Sequence, residues 1–186
     1  MSEATVKTEE VFLGALLQRG LQFAAEAHRG QEYPSTGLPY LLHLSQVLGE
    51  VAAAELEAPS AEPALAMLCA VLHDTIEDCA VSHGALEARF GRAVADGVQA
   101  LSKRPGLEKA AAMRDSLARI KGEPVEVWKV KLADRISNLQ SPPAHWSTEK
   151  IARYKKEAEL ILSELGAASA PLAARLQSAI EAYPPA

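Results

Sequence analysis

Cysteine and aromatic side chains are scarce in this chain, and each scarcity removes a class of protein. Two cysteines in 186 residues, Cys69 inside an apolar run and Cys79 after an acidic pair, supply neither a disulfide framework nor a zinc-knuckle spacing. A reducing, cytoplasmic setting is therefore expected. No apolar stretch nears the roughly 20 residues that a membrane span needs, and the opening MSEATVKTEE is polar and acidic. A soluble protein without a membrane partner is the expectation. Blocks of consecutive Lys or Arg are also absent, and 19 basic against 24 acidic residues leave a net charge of −5. Nonspecific nucleic-acid binding thus has no electrostatic footprint. A small anionic ligand stays open, because a few cations beside a bound metal outweigh an acidic exterior inside a cleft.

What is present is material for helices. Aromatics make up 5% and apolar residues 48%, with Ala, Leu and Glu abundant and β-branched clusters short. Periodic segments therefore read as helix, and the fold class is all-α, a compact multi-helix domain over 1–186 with residues 1–7 as a flexible tail. The pattern predicts helices over Thr8–His28, Leu41–Leu56, Pro63–Glu77, Ser82–Arg89, Gly91–Ser102, Leu107–Lys121, Pro124–Leu139, Glu149–Leu165 and Ala170–Ala182. Pro63 and Pro124 suit first-turn positions, where a missing N–H is no loss, and Pro142-Pro143 stops the chain after Asn138. Gly30 and Gly122 mark helix ends, Phe90-Gly91 reads as a turn, and GQEYPSTGLP (30–39) reads as an irregular loop.

Three polar clusters interrupt this apolar pattern. In AMLCAVLHDTIEDC a strongly apolar helix suddenly carries His73, Asp74, Glu77 and Asp78. On one continuous helix His73 and Glu77 form an i,i+4 row, with Asp74 and Asp78 in a second row about 100° around. Carboxylates crowded at half-buried positions need protons or a cation to neutralise them. In KVKLADRISNLQ, Lys131, Asp134 and Asn138 fall at i, i+3 and i+7 on an otherwise packed helix, and in GLPYLLHLSQV His43 opens an apolar helix. Two imidazoles and two carboxylates can then converge on one ion.

Together the blocks AAEAHRGQ, PYLLHL, LHDTIEDC, ARFGRAVADGV and KVKLADRISNL, followed by the late helix with Tyr154, resemble in their order the RelA/SpoT-type HD hydrolases, most closely the small single-domain alarmone hydrolases. The resemblance implies a Mn²⁺ site at His43, His73, Asp74 and Asp134, and it implies that Glu77 and Asp78 position or activate the attacking water. Mixed imidazole and carboxylate ligands suit Fe²⁺ as well, and Zn²⁺ is open on ligand type alone. It further implies hydrolysis of guanosine tetra- or pentaphosphate at the 3′ position with release of pyrophosphate. Asn138 and Ser141 match positions facing the nucleoside, Tyr154 matches one near the phosphates, and Lys103, Lys109 and Arg114 are candidates for phosphate contact. Lys131 either contributes to the site or pairs with a carboxylate to hold its helix.

The chain departs from the family pattern in two places. Where the family carries Arg or Lys against the guanine, the sequence reads Gln31-Glu32-Tyr33, so Tyr33 becomes the candidate to stack on a purine while Glu32 removes a cation–π partner. Leu44 replaces the proline that usually follows the first histidine ligand. His28 and Gln31 match the family's H-x-x-Q, and for His28 a role behind the metal ligands and plain helix capping both stand. His83 and His145 read as surface residues, Trp128 and Trp146 as packing, and Arg29 as a residue of a solvated face. The expected partner is a small nucleotide; hydrolysis of another nucleotide phosphate is the alternative substrate reading, and the intact Glu77-Asp78 pair argues against a noncatalytic module. A homo-oligomer stays open at this level.

Overall fold

The most apolar stretch of the chain is the one that ends closest to its densest cluster of charge. Helix α3 (Pro63–Leu72) starts on a proline and buries Leu65, Ala66 and every residue from Leu68 to Leu72. A helix apolar on every side must be surrounded, and α3 packs against α1 (Glu3–Ala27), α2 (Leu41–Glu57), α6 (Arg92–Leu101) and α8 (Val125–Asn138). The computed structural model describes residues 3–34 and 36–184, and among them there are ten α-helices, one short 3₁₀ turn and no named strand. The all-α expectation holds.

The remaining helices are α4 (Thr75–Cys79), α5 (His83–Phe90), α7 (Lys109–Ile120), α9 (Thr148–Leu165) and α10 (Ala170–Ala182). Ser82, Ser147 and Ser169 cap α5, α9 and α10, each side chain accepting a backbone N–H of the first turn. Gly91, at φ +87°, makes the turn between α5 and α6 that Phe90-Gly91 predicts. Helix α1 begins at Glu3, inside the segment expected as a tail; residues 1 and 2 lie outside the described residues.

One expected helix is broken. The pattern predicts one helix over Pro63–Glu77, but α3 stops at Leu72 and α4 starts at Thr75. The side chains at the junction compete for the carbonyls that the helix needs: His73 Nδ1 lies 2.9 Å from the Ala70 carbonyl, and Thr75 Oγ1 donates to the Leu72 carbonyl at 2.7 Å. The two i,i+4 rows therefore do not run along one helix. His73 ends one element and Asp74 caps the next, which turns both side chains toward the same space.

Buried charge fixes how α2 and α8 sit on α3. Lys129 on α8 donates to Glu55 on α2 at 2.7 Å, with both side chains almost fully buried, and Glu55 also accepts from Ser60. Glu126 accepts the backbone N–H of Glu62 ahead of α3. A buried pair is weak support for stability but a strong constraint on register, since a slip would strand two charges. That register sets His43 of α2 opposite Asp134 of α8.

Candidate metal centre

Each imidazole of the site is held from behind, leaving its Nε2 to face the same point. His43 Nδ1 meets Ser137 Oγ at 3.1 Å, and Ser137 in turn donates to Gln46. His73 Nδ1 is engaged by the Ala70 carbonyl, so its Nε2 is buried without a hydrogen-bond partner. A backbone or hydroxyl partner on one ring nitrogen that leaves the other as a bare donor is how metal-ligating histidines are oriented.

The carboxylates close the ring. His43 Nε2 is 3.4 Å from Asp134 Oδ1 and 3.7 Å from Asp74 Oδ2. His73 Nε2 is 2.9 Å from Asp74 Oδ2 and 3.8 Å from Asp134 Oδ1. Donors about 2.1 Å from a shared ion stand on the order of 3–3.5 Å apart, so these spacings suit one small divalent cation. His43, His73 and Asp134 bring donor atoms within 4.8 Å of one another, all three buried, and the Asp74 oxygen lies beside both rings. The residues present fit a metal.

The same carboxylates also accept from neighbouring side chains, Asp74 and Asp134 partly on the oxygens that face the imidazoles. Tyr40 at the start of α2 donates to Asp74 Oδ2 at 2.5 Å, while Lys131 and Asn138 donate to Asp134 Oδ2 and Oδ1 at 2.8 and 2.5 Å. Burial would raise both carboxyl pKa values, but His73 beside Asp74 and Lys131 beside Asp134 hold both below the usual range. Burial and the adjoining Asp74 carboxylate push the Tyr40 phenol well up, so it stays a hydrogen-bond donor.

A cleft of about 220 Å³ opens in front, lined by His73, Asp74, Glu77, Asp78, Lys103, Lys131, Asp134, Asn138 and Tyr154 among others. Glu77 is bracketed by Lys103, whose Nζ lies 3.0 Å from Oε1 and whose backbone N–H reaches Oε2 at 2.7 Å. Asp78 accepts from Gln31 Nε2 at 2.9 Å, and Gln31 Oε1 is 2.8 Å from His28 Nδ1. His28 is buried and stacked on Tyr40 with centroids 4.8 Å apart. Of its two readings, the one behind the reactive residues matches this chain of contacts.

Not every expected residue meets the cleft. Tyr33 is buried, its ring stacked on His43 at 5.4 Å and its hydroxyl donating to the Ser137 carbonyl at 3.3 Å. It backs an imidazole and has no free face for a purine, a correction to its expected role. Apolar packing of the loop against α2 drew it inward, while Glu32 beside it is exposed and pairs by backbone with Pro39. Ser141 is exposed and does not line the cleft. Lys109 and Arg114 line a neighbouring groove instead. His83 pairs with Asp96 at 2.7 Å away from the site, His145 is exposed, Trp128 packs half-buried, and Trp146 meets Tyr154 edge-on.

Among the lining residues that carried no assigned role in the sequence, Tyr40 and Arg135 make contacts within the site. Tyr40 lies 34 positions from its partner Asp74, a distance no local pattern encodes. Arg135 lines the cleft, its guanidinium 4.2 Å above the Tyr154 ring and 3.6 Å from Glu157, with Nε and Nη1 buried and unpartnered. A signal existed for Arg135: with Lys131, Asp134 and Asn138 it completes an i, i+3, i+4, i+7 stripe.

The profile of a family described as "HD domain" matches residues 20–176. The zebrafish (Danio rerio) guanosine-3′,5′-bis(diphosphate) 3′-pyrophosphohydrolase MESH1 is 32% identical over 174 residues, covering 88% of this chain and 91% of that protein. A Vibrio cholerae guanosine-3′,5′-bis(diphosphate) 3′-pyrophosphohydrolase is 33% identical over 131 residues, but those cover 67% of this chain and only 18% of the longer protein. Among solved structures, one reported as a metazoan ortholog of SpoT that hydrolyzes ppGpp superposes with a TM-score of 0.77 at 26% identity, over 90% of this chain and 94% of that one.

Proposed function

Because the chain belongs to the HD-domain family, we propose that it hydrolyses guanosine 3′,5′-bis(diphosphate), and its 5′-triphosphate analogue, at the 3′-pyrophosphate, releasing pyrophosphate, with Mn²⁺ held by His43, His73, Asp74 and Asp134. The observation that carries this reading is the meeting of donor atoms of His43, His73 and Asp134 within 4.8 Å of one another, with Asp74 beside both rings, next to a cleft that Glu77 and Asp78 line. The names and coverage of the zebrafish and Vibrio relatives support the substrate.

When bound, the cation supplies Lewis-acid polarisation of a phosphoryl oxygen and lowers the pKa of water at the site. The rest falls to the chain. Glu77 and Asp78 sit at the cleft as carboxylates able to orient the attacking water and take its proton. Lys103 steers the Glu77 carboxylate, and the His28–Gln31 pair steers that of Asp78. Lys131 and Asn138 hold Asp134 from rotating, as Tyr40 holds Asp74. Tyr154, backed by Arg135, forms the wall against which the phosphate end rests.

The test is pyrophosphate release from ppGpp by the purified protein with Mn²⁺. His73→Ala and Asp134→Ala are expected to abolish both metal binding and turnover, whereas Glu77→Gln retains metal and loses about 10²–10⁴ in kcat. One observation favours a second substrate: Tyr33 is turned inward and Glu32 is exposed, so neither residue after Gln31 offers a cation to stack on guanine. Turnover of a different nucleotide phosphate, with none of ppGpp, decides for that reading.

A further inference from the structure

Basic side chains in this fold mostly answer to a carboxylate: Lys103 to Glu77, Arg104 and Arg119 to Asp115, Lys121 to Glu164, Lys129 to Glu55, Arg175 to Glu50 and Glu57. Four that do not are neighbours. Lys109 and Arg114 on α7 and Arg153 and Lys156 on α9 form no ion pair with another described residue, and all four line one groove of about 380 Å³. In a chain of net charge −5, four exposed cations without an ion pair around one hollow make a local basic patch that suits an anion. Two carboxylates line the groove as well. Glu157 faces Arg135 at 3.6 Å, leaving Glu108 as the one carboxylate of the wall without an ion pair among the described residues.

The groove is continuous with the catalytic cleft. Met113 and Glu157 line both, and a third hollow of about 350 Å³, lined by Lys103 and Lys109, shares the same two residues. A ligand whose reacting phosphate lies beside His73 and Asp134 therefore has these cations in the adjoining hollows, on the far side of Met113 and Glu157.

We infer that the α7–α9 groove is a second anion subsite, which holds the phosphates that a substrate carries away from its scissile bond. This rests on the proposed function and assigns the side chains that meet the phosphates remote from the reacting end. Arg114 and Arg153 offer planar forks that match phosphate oxygens, and Lys109 and Lys156 add point charges. Contacts made equally in the ground and transition states act on KM and leave kcat alone. Because the four side chains line an open groove, the contribution weakens as salt shortens the screening length.

Steady-state kinetics of the full chain with Mn²⁺ on guanosine 3′,5′-bis(diphosphate) and on guanosine 3′-diphosphate, which has a free 5′-hydroxyl, read the subsite. The combined variant Lys109→Gln, Arg114→Gln, Arg153→Gln, Lys156→Gln is expected to raise KM for the first substrate on the order of tenfold or more. Its kcat should stay within about twofold, and its KM for the second substrate should not move. Arg92→Gln, which removes a charge on α6 outside the groove, should change neither KM. Equal changes for both substrates, or no change, overturn the subsite. If the combined variant does not fold, the single variants Arg114→Gln and Arg153→Gln carry the same comparison. Absence of turnover by the unaltered protein on either substrate counts against the proposed function alone. Calorimetric titration with inorganic tripolyphosphate then decides the subsite: binding that the variant weakens about tenfold supports it, and equal binding, or none, overturns it.

Discussion

His73 is the residue on which burial and charge pull hardest against each other. Burial favours its neutral form, yet Asp74 first, then Asp134 and the Ala70 carbonyl, hold its pKa up at about 9 from an ordinary 6.5. A folded-state pKa above the unfolded one means that protonated His73 stabilises the metal-free protein fully below about pH 6.5, and that this contribution is lost as pH rises through about 9. A cation needs the bare Nε2, so between pH 7 and 8 metal binding must expel one proton. Metal affinity is expected to rise about tenfold per pH unit up to about 9 and then level off. Calorimetry in two buffers of different ionisation heat measures the released proton directly. An affinity flat between pH 6.5 and 8.5 contradicts the assignment of His73 as a ligand.

At the scale of elements, the site depends on how closely α6 approaches α3 and α8. They meet at Gly97, where an added Cβ would stand 2.9 Å from Val127 Cγ2 and 3.0 Å from Cys69 Sγ. Two effects oppose each other in Gly97→Ala. Helix propensity returns about 1 kcal/mol, while overpacking a tight contact costs about 1–3 kcal/mol. The steric effect wins because Val127 and Cys69 are fully or almost fully buried and have nowhere to move. A net loss of up to about 2 kcal/mol is expected, read as a melting temperature lower by several degrees; a higher one means that the helices do not meet this closely. The break between α3 and α4 belongs to the same scale. Periodicity extends through His73 and Asp74, but two side chains that capture backbone carbonyls end the helix there.

For the molecule as a whole, the four proposed ligands come from α2, from the α3–α4 junction and from α8. A cation shared by these parts binds the folded chain and not the unfolded one. At a concentration about 100 times Kd, mass action adds about 2.7 kcal/mol of stability, which for a chain of this size raises Tm by about 5–10 °C. Mn²⁺ is therefore expected to raise the melting temperature by that amount, a chelator to reverse it, and His43→Ala to remove the shift, on a metal-free melt that is itself lower because the change empties a fully buried, packed position. An equal Mn²⁺ shift in His43→Ala would place the ion elsewhere.

Much of this was legible in the residues. Helical periodicity and polar side chains set into apolar runs are local properties, so an all-helical chain and the chemical types at the cleft, His43, His73, Asp74, Glu77, Asp78 and Asp134, could be read one segment at a time. The donors that hold these carboxylates were not legible, since Tyr40 reaches Asp74 across 34 positions and Gln31 reaches Asp78 across 47. Tyr33 was misread because its aromatic ring suits a purine and a core equally well, and a hydroxyl bond spanning 104 positions decided for the core. The scarcity of cysteine and aromatics and the helical pattern determined the kind of chain. Which side chains hold the histidines, and the basic groove between α7 and α9, were decided only by tertiary structure, because both depend on distances between helices that no spacing within one helix records.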